Sequence, residues 1–170
     1  MKILRGDLHH FEGTQFFQET LFDIGINTLG NPETPVQVGL SVHKQGEDFL
    51  LTGEVKTDLT LVCDRCLGAA PYSIEGSFSS WLVSEPRPDL KPGESEVLLF
   101  PPHQPAMDLS ELIAGAIYIE LPQKKLCRED CRGLCPSCGA DLNMQSCGCK
   151  TDEMDERWSA LLAIKEQLKE

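Results

Sequence analysis

The sequence predicts an α+β protein, with an antiparallel β-sheet or partial barrel, two helices and a cysteine-rich zinc-binding segment. Three observations carry that expectation. Apolar residues alternate with a period of two from Val36, the period becomes helical after Asp108, and six of the eight cysteines fall within residues 127–149. The expected organisation is a mainly β body over 1–126 with one Cys-x-x-Cys pair and one helix. A cysteine-rich segment over 127–150 and an amphipathic helix over 151–170 follow.

Residues 1–35 carry the weakest pattern. Ile3, Leu4 and Leu8 suit an opening strand. Phe16, Phe17, Leu21 and Phe22 suit a short strand or one helical turn. His9 and His10 are read as solvated loop residues rather than metal ligands.

From Val36 the alternation is clean. Val36, Val38, Leu40 and Val42 share one face, opposite Gln37, Gly39, Ser41 and His43, as in a half-buried strand. Lys44 to Glu47 make a turn. The next strand runs from Phe49 to Val62 with a bulge expected at Gly53. Cys63-Asp64-Arg65-Cys66 follows at once. Tyr72, Ile74, Phe78 and Leu82 then mark a further strand, interrupted at Gly76 and Ser80, so the first cysteine pair should sit at a hairpin tip. Asp64 reads as a turn residue and His43 as an exposed strand end.

Ser84 to Glu96 is an acidic, Pro-rich loop, Val97 to Phe100 a short strand, and Pro101 to Pro105 a second loop that includes His103. Asp108 or Ser110 caps a helix. Its core stripe is Leu109, Leu112, Ile113, Ala116 and Ile117, and Pro122 ends it. At the far end, Asp152, Glu153, Asp155 and Glu156 open a helix whose apolar face is Trp158, Leu161, Leu162 and Leu168.

Lys and Arg total 15 against 27 Asp and Glu, a net charge of -12. Such a surface repels phosphate and argues against a broad nucleic-acid footprint, whereas basic protein partners suit it. Lys124, Lys125, Arg128, Arg132 and Arg65 gather around the cysteines. We read them as balancing thiolate charge, with local RNA contact the weaker reading. Two basic residues near the start are followed by no apolar run, and Leu112 to Ile119 is too short to span a bilayer. A cytoplasmic chain without membrane contact is expected. There thiols stay reduced, so eight cysteines need a reason other than disulfides.

Spacing supplies that reason. Cys63 and Cys66, and Cys135 and Cys138, are separated by two residues, Cys127 and Cys131 by three, and Cys147 and Cys149 by one. Two thiolates at such spacing chelate one tetrahedral ion, and zinc takes four ligands. Eight cysteines make two complete sites, or one if a single cluster closes. Spacing alone leaves open which pairs share an ion, and Cys147-Gly148-Cys149 is tight enough that one of its thiols can serve elsewhere.

The motifs resemble a known family. A Cys-x-Arg-Cys knuckle after a strand (Cys63 to Cys66) and an Asp-Leu-x-x-Leu helix ending in Leu-Pro (Asp108 to Pro122) are similar to the YceD family, the large ribosomal RNA subunit accumulation proteins. The run from Asp130 to Gly139, with Asp141-Leu142-Asn143 and Cys147-Gly148-Cys149, resembles the family's cysteine-rich form. The likeness covers roughly Val36 to the C-terminus. It implies Cys63, Cys66, Cys127 and Cys131 as one metal site and Cys135, Cys138, Cys147 and Cys149 as the other. It also implies a role in accumulation or processing of large-subunit ribosomal RNA, and it brings no catalytic residue with it.

Three function classes follow. The leading one is a zinc-stabilised, non-enzymatic factor in ribosome biogenesis that contacts a basic ribosomal protein or a large-subunit precursor particle. The alternative is a thiol or rubredoxin-like iron redox protein, since Cys-Pro-Ser-Cys-Gly resembles one rubredoxin knuckle. An enzyme is the weakest, because catalytic zinc keeps an open position and commonly uses His, and no nucleophile–base motif is present.

Overall fold

The computed structural model describes residues 1–86 and 96–149. The C-terminal helix expected over 151–170 and most of the acidic loop lie outside them. The described residues make an α+β fold with a mostly antiparallel five-stranded sheet.

The sheet comprises β2 (Thr14–Thr20), β3 (Pro35–Gln45), β4 (Asp48–Val62), β5 (Ala69–Val83) and β6 (Glu96–Leu99), ordered as in the sequence. The first four are antiparallel neighbours, while β6 runs parallel to β5. A small second sheet pairs β1 (Lys2–Leu4) with β7 (Ala106–Asp108), and the helices are α1 (Arg5–Leu8) and α2 (Ser110–Ile119). Leu8 therefore belongs to a helical turn rather than to the opening strand.

The period-two pattern decides which face is buried. Val36, Val38, Leu40, Leu51, Val55, Leu59, Ile74 and Leu82 all point inward. Against them pack Leu21, Ile24 and Ile26 from the β2–β3 connection, Phe100, and Leu109, Ile113 and Ile117 around α2. Each such side chain contributes about 1.5–3 kcal/mol on full burial. The opposite face of the sheet carries Thr14, Phe16, Ser41, Thr52, Glu54 and Lys56, with Phe16 exposed.

Two expectations about glycine are corrected. Gly53 makes no bulge, since β4 pairs without interruption with both neighbours. The ring of Phe78 occupies the space over it, and a Cβ there would lie 2.2 Å from that ring. Nor do Gly76 and Ser80 interrupt β5. Gly76 lets α2 approach the sheet, because a Cβ would sit 2.5 Å from the Ala116 carbonyl oxygen. Ser80 is buried on the inward face.

The helix start differs from the expected caps: the N-cap is Leu109, whose side chain makes no capping bond, and Asp108 lies one residue before it. Ser110 is the first helical residue, and its N–H donates to Asp108 Oδ1 at 3.0 Å. That bond, reinforced by the Ser110 hydroxyl, holds the Asp108 carboxyl below its usual range. Arg5 ties the end of β1 to the 100–105 segment. Its guanidinium donates to the carbonyls of Phe100 and Pro101 and lies 3.9 Å over the Phe100 ring.

Candidate metal centres

The β4–β5 hairpin ends in the first knuckle. Cys63 leaves β4, Leu67 N–H donates to the Cys63 carbonyl at 2.9 Å, and Cys63 N–H donates to Gly68 O at 2.8 Å. The second knuckle repeats this turn bond for bond. Gly139 N–H donates to Cys135 O at 2.9 Å, and Cys135 N–H donates to Ala140 O at 2.8 Å. In both, the residue after the second cysteine has a left-handed backbone, φ 59° at Leu67 and φ 72° at Gly139. Glycine takes that conformation freely, and leucine does so at a cost.

The chain then brings a second pair to each knuckle. Asp64 N–H donates to Lys125 O at 2.7 Å, and Lys125 N–H returns to Asp64 Oδ2 at 2.7 Å. Lys125 Nζ lies 3.7 Å from the same carboxylate. The Tyr72 hydroxyl clamps the next residue, donating to Leu126 O at 2.9 Å and accepting from Leu126 N–H at 2.6 Å. Arg65 reaches across to donate to Cys131 O at 2.7 Å. Its own carbonyl accepts Leu134 N–H at 3.1 Å. Gly133 packs on that carbonyl closely enough that a Cβ would lie 2.8 Å away.

These bonds place Cys63, Cys66, Cys127 and Cys131 together, and Cys135, Cys138, Cys147 and Cys149 together, each group with its sulfurs within 4.8 Å of one another. This is the pairing that the resemblance implied. Cys66 and Cys127 sulfurs are 3.6 Å apart, and those of Cys63 and Cys131 are 3.9 Å apart. A tetrahedral ion with metal–sulfur bonds of about 2.3 Å sets its ligands about 3.8 Å apart. The donor set and spacing fit such an ion. None of the eight cysteines is in a disulfide. The first group is buried around Cys63, Ala70 and Cys131, whereas Cys138 and Cys149 of the second are exposed.

Each group contains one readily ionised thiol and two reluctant ones, Cys66 and Cys127 in the first and Cys147 and Cys149 in the second. N–H groups of Cys66 and Arg65 aim at Cys63 and draw its pKa down to about 6. Cys138 and Ser137 N–H groups do the same for Cys135, also to about 6. Burial, then the neighbouring Cys131, pushes Cys127 up to about 12. Cys138 and Cys135 push Cys149 up to about 12. Gly68 N–H draws on Cys66, but burial and the Cys63 thiol outweigh it and leave that pKa raised. Four thiols this close repel as anions, so a cation is what allows all of them to ionise.

Three of the cations around the cysteines, Arg65, Lys125 and Arg128, are engaged locally. Arg65 and Lys125 are bonded as described, and Arg128 pairs with Asp130 at 3.3 Å and donates to Asn143 Oδ1 at 2.9 Å. The histidines stand apart, since the potential metal groups among the described residues are all cysteine. His9 rests edge-on against Phe49. Sequence reasoning missed the parts played by Leu67, Tyr72 and Asn143. Aligning the two knuckles would have exposed Leu67 as the counterpart of Gly139.

Two four-thiol groups, one bridging a sheet hairpin to a distant segment and one local, define a cysteine-rich protein with two groups that could each hold a metal ion. Residues 51–165 match the family described as Large ribosomal RNA subunit accumulation protein YceD. The chain belongs to the YceD family. It is 31% identical over 162 residues to the chloroplastic YCED homolog 1 of Arabidopsis thaliana, covering 81% of this chain and 50% of that protein. The Zea mays homolog 1 is 32% identical over 151 residues, covering 73% of this chain and 52% of its own length. An uncharacterized protein of Mycobacterium leprae is 32% identical over 127 residues, covering 75% of this chain and 58% of that protein. The chain thus spans about half the length of the plant relatives. No solved structure matches it. Among the described residues, no helix is long and apolar enough to cross a membrane.

Proposed function

We propose that this protein is a non-enzymatic factor supporting accumulation of large-subunit ribosomal RNA, with both cysteine groups holding structural zinc. The observation that carries the reading is the family match joined to two all-cysteine groups, each with four sulfurs within 4.8 Å of one another, enough to fill the tetrahedral shell of one ion. A filled shell leaves no position for substrate or activated water, which is the property of structural rather than catalytic zinc. Among the described residues neither knuckle opens a helix, as a thioredoxin-like thiol pair would, so the thiol half of the redox alternative draws no support from the topology, and the metal bound decides the rubredoxin-like half. With zinc in both groups, each site carries net charge −2 and adds to the acidity of the chain.

Its partner in this reading is a basic ribosomal protein, or a precursor particle displaying one, met in the cytoplasm. The net charge of -12 supports that choice over naked RNA. The test is depletion followed by measurement of mature large-subunit RNA, with capture of the intact protein across a salt series. Loss of large-subunit RNA and salt-sensitive capture of a basic protein are expected. Tight binding to purified RNA, abolished by charge reversal of Lys124, Lys125, Arg128 and Arg132, would replace the protein partner with direct RNA contact. Iron in the purified protein would favour the redox reading.

A further inference from the structure

Besides the bond from Leu134 N–H to Arg65 O, the two clusters are joined by the side chain of Asn143. Residues 139–146 form a loop whose flanking residues, Cys138 and Cys147, are both ligands of the second group. Asn143 lies inside that loop. Its Nδ2 donates to Cys131 Sγ of the first group at 3.5 Å and to Asp141 Oδ1 at 2.7 Å. Its Oδ1 accepts Arg132 N–H at 2.8 Å and the Arg128 guanidinium at 2.9 Å. Its own N–H also donates to Asp141 Oδ1, at 2.8 Å. Leu142 N–H donates to Gly133 O at 2.9 Å, which lays the loop along the segment between the clusters. The carboxamide is therefore held on every side, and one of its hydrogens is aimed at a ligand sulfur.

We propose that Asn143 is a positioning residue that couples the two metal centres, so that closing the second strengthens ion binding at the first. The inference rests on both groups holding an ion, as in the function proposed above. An ion in the second group pins both ends of the 139–146 loop, and the pinned loop presents Asn143 to Cys131. An N–H group directed at a ligand sulfur stabilises its anionic, metal-bound form, and removing such outer partners commonly weakens metal binding about 10–100-fold. Emptying the second group frees the loop and costs the first group that hydrogen bond. Linkage makes the effect mutual, so filling the first group also favours the second.

The test uses the full chain loaded with zinc and follows transfer of zinc to a coloured chelator. Cys138→Ser/Cys149→Ser empties the second group, and the zinc left in the first should then leave about 10–100-fold faster than in the intact protein. Asn143→Ala, with all eight cysteines present, should speed release from the first group similarly. Adding it to the emptied chain should change little, because the coupling is already lost. Asn143→Asp keeps the accepting oxygen but replaces the donor with an anion facing Cys131 Sγ and Asp141, and should release zinc at least as fast as Asn143→Ala. Cobalt(II) in place of zinc gives a readout that does not depend on rates. The sulfur-to-cobalt absorption of the first group should move to longer wavelength in Asn143→Ala, since the lost N–H no longer stabilises the sulfur lone pair. Unchanged release from the first group after emptying the second, or an unmoved cobalt band, overturns the coupling. A chain that holds two zinc ions and releases them independently overturns the coupling alone, whereas a chain that holds none overturns the structural-zinc reading as well.

Discussion

Cys63→Ser and Cys131→Ser together form the sharpest test of how the body is held. An ion shared by the two pairs joins Cys66 to Cys127 across about 60 residues of chain. In the chain-entropy account, a cross-link closing a loop of that length stabilises the fold by about 4 kcal/mol, against about 2.5–3 kcal/mol for the short loop from Cys138 to Cys147. A domain of this size holds only about 5–15 kcal/mol in total, so the first value is a large share. At about 2–4 °C per kcal/mol, the zinc-loaded protein should lose about 8–16 °C of thermal stability in either single variant. In the proposed site the two cysteines serve one ion, so the double variant should melt close to the singles. The assay is thermal unfolding followed by circular dichroism, with zinc present and thiols kept reduced. Additive losses in the double variant would refute the reasoning, because they would place Cys63 and Cys131 on different ions.

Three further outcomes are expected. Tyr72→Phe removes the hydroxyl that serves both backbone groups of Leu126, and should cost about 1–3 kcal/mol in urea unfolding while speeding zinc loss from the first group; an unchanged midpoint would show that water replaces it fully. Leu67→Gly relieves a left-handed leucine that is largely exposed, and should gain about 1 kcal/mol in the same assay; a loss would mean that the leucine side chain has a contact of its own. Because Cys127 and Cys149 hold their protons up to about 12, zinc loading at pH 7 should release protons. The affinity should therefore fall with falling pH, most completely below about 6, where Cys63 and Cys135 also protonate. Loading in weak buffer with a pH indicator checks this, and absence of proton release would contradict it.

The sheet was legible in the sequence where side chains alternate in size. The β3 and β4 strands announce themselves because every second residue from Val36 to Val42, and again from Phe49 to Leu61, is buried or packed inward, with Gly53 and Thr57 as the small members. The β5 strand was harder, because Gly76 and Ser80 read as gaps when they are places where a helix and the core come close. The β1–β7 pair was not legible. Lys2 meets Asp108 across the whole intervening chain, and three-residue strands carry no period of their own. The cysteines were legible as ligands from spacing, and their partition took the family resemblance. What holds them in place was hidden, since the bonds of Tyr72, Asp64 and Asn143 depend on which distant backbone arrives beside them.

The long reach of the first cluster also sets an order of events during synthesis. Chains are made at about 5–20 residues per second, so Cys127 emerges about 3–12 s after Cys66. The β4–β5 hairpin can pair its strands in microseconds and then waits with only two thiols in place. Cys63, fully buried in the finished protein, is open to solvent for that interval. Every newly made molecule thus passes through a stage in which both hairpin thiols are open to an oxidant, and the arrival of Cys127 and Cys131 ends that stage.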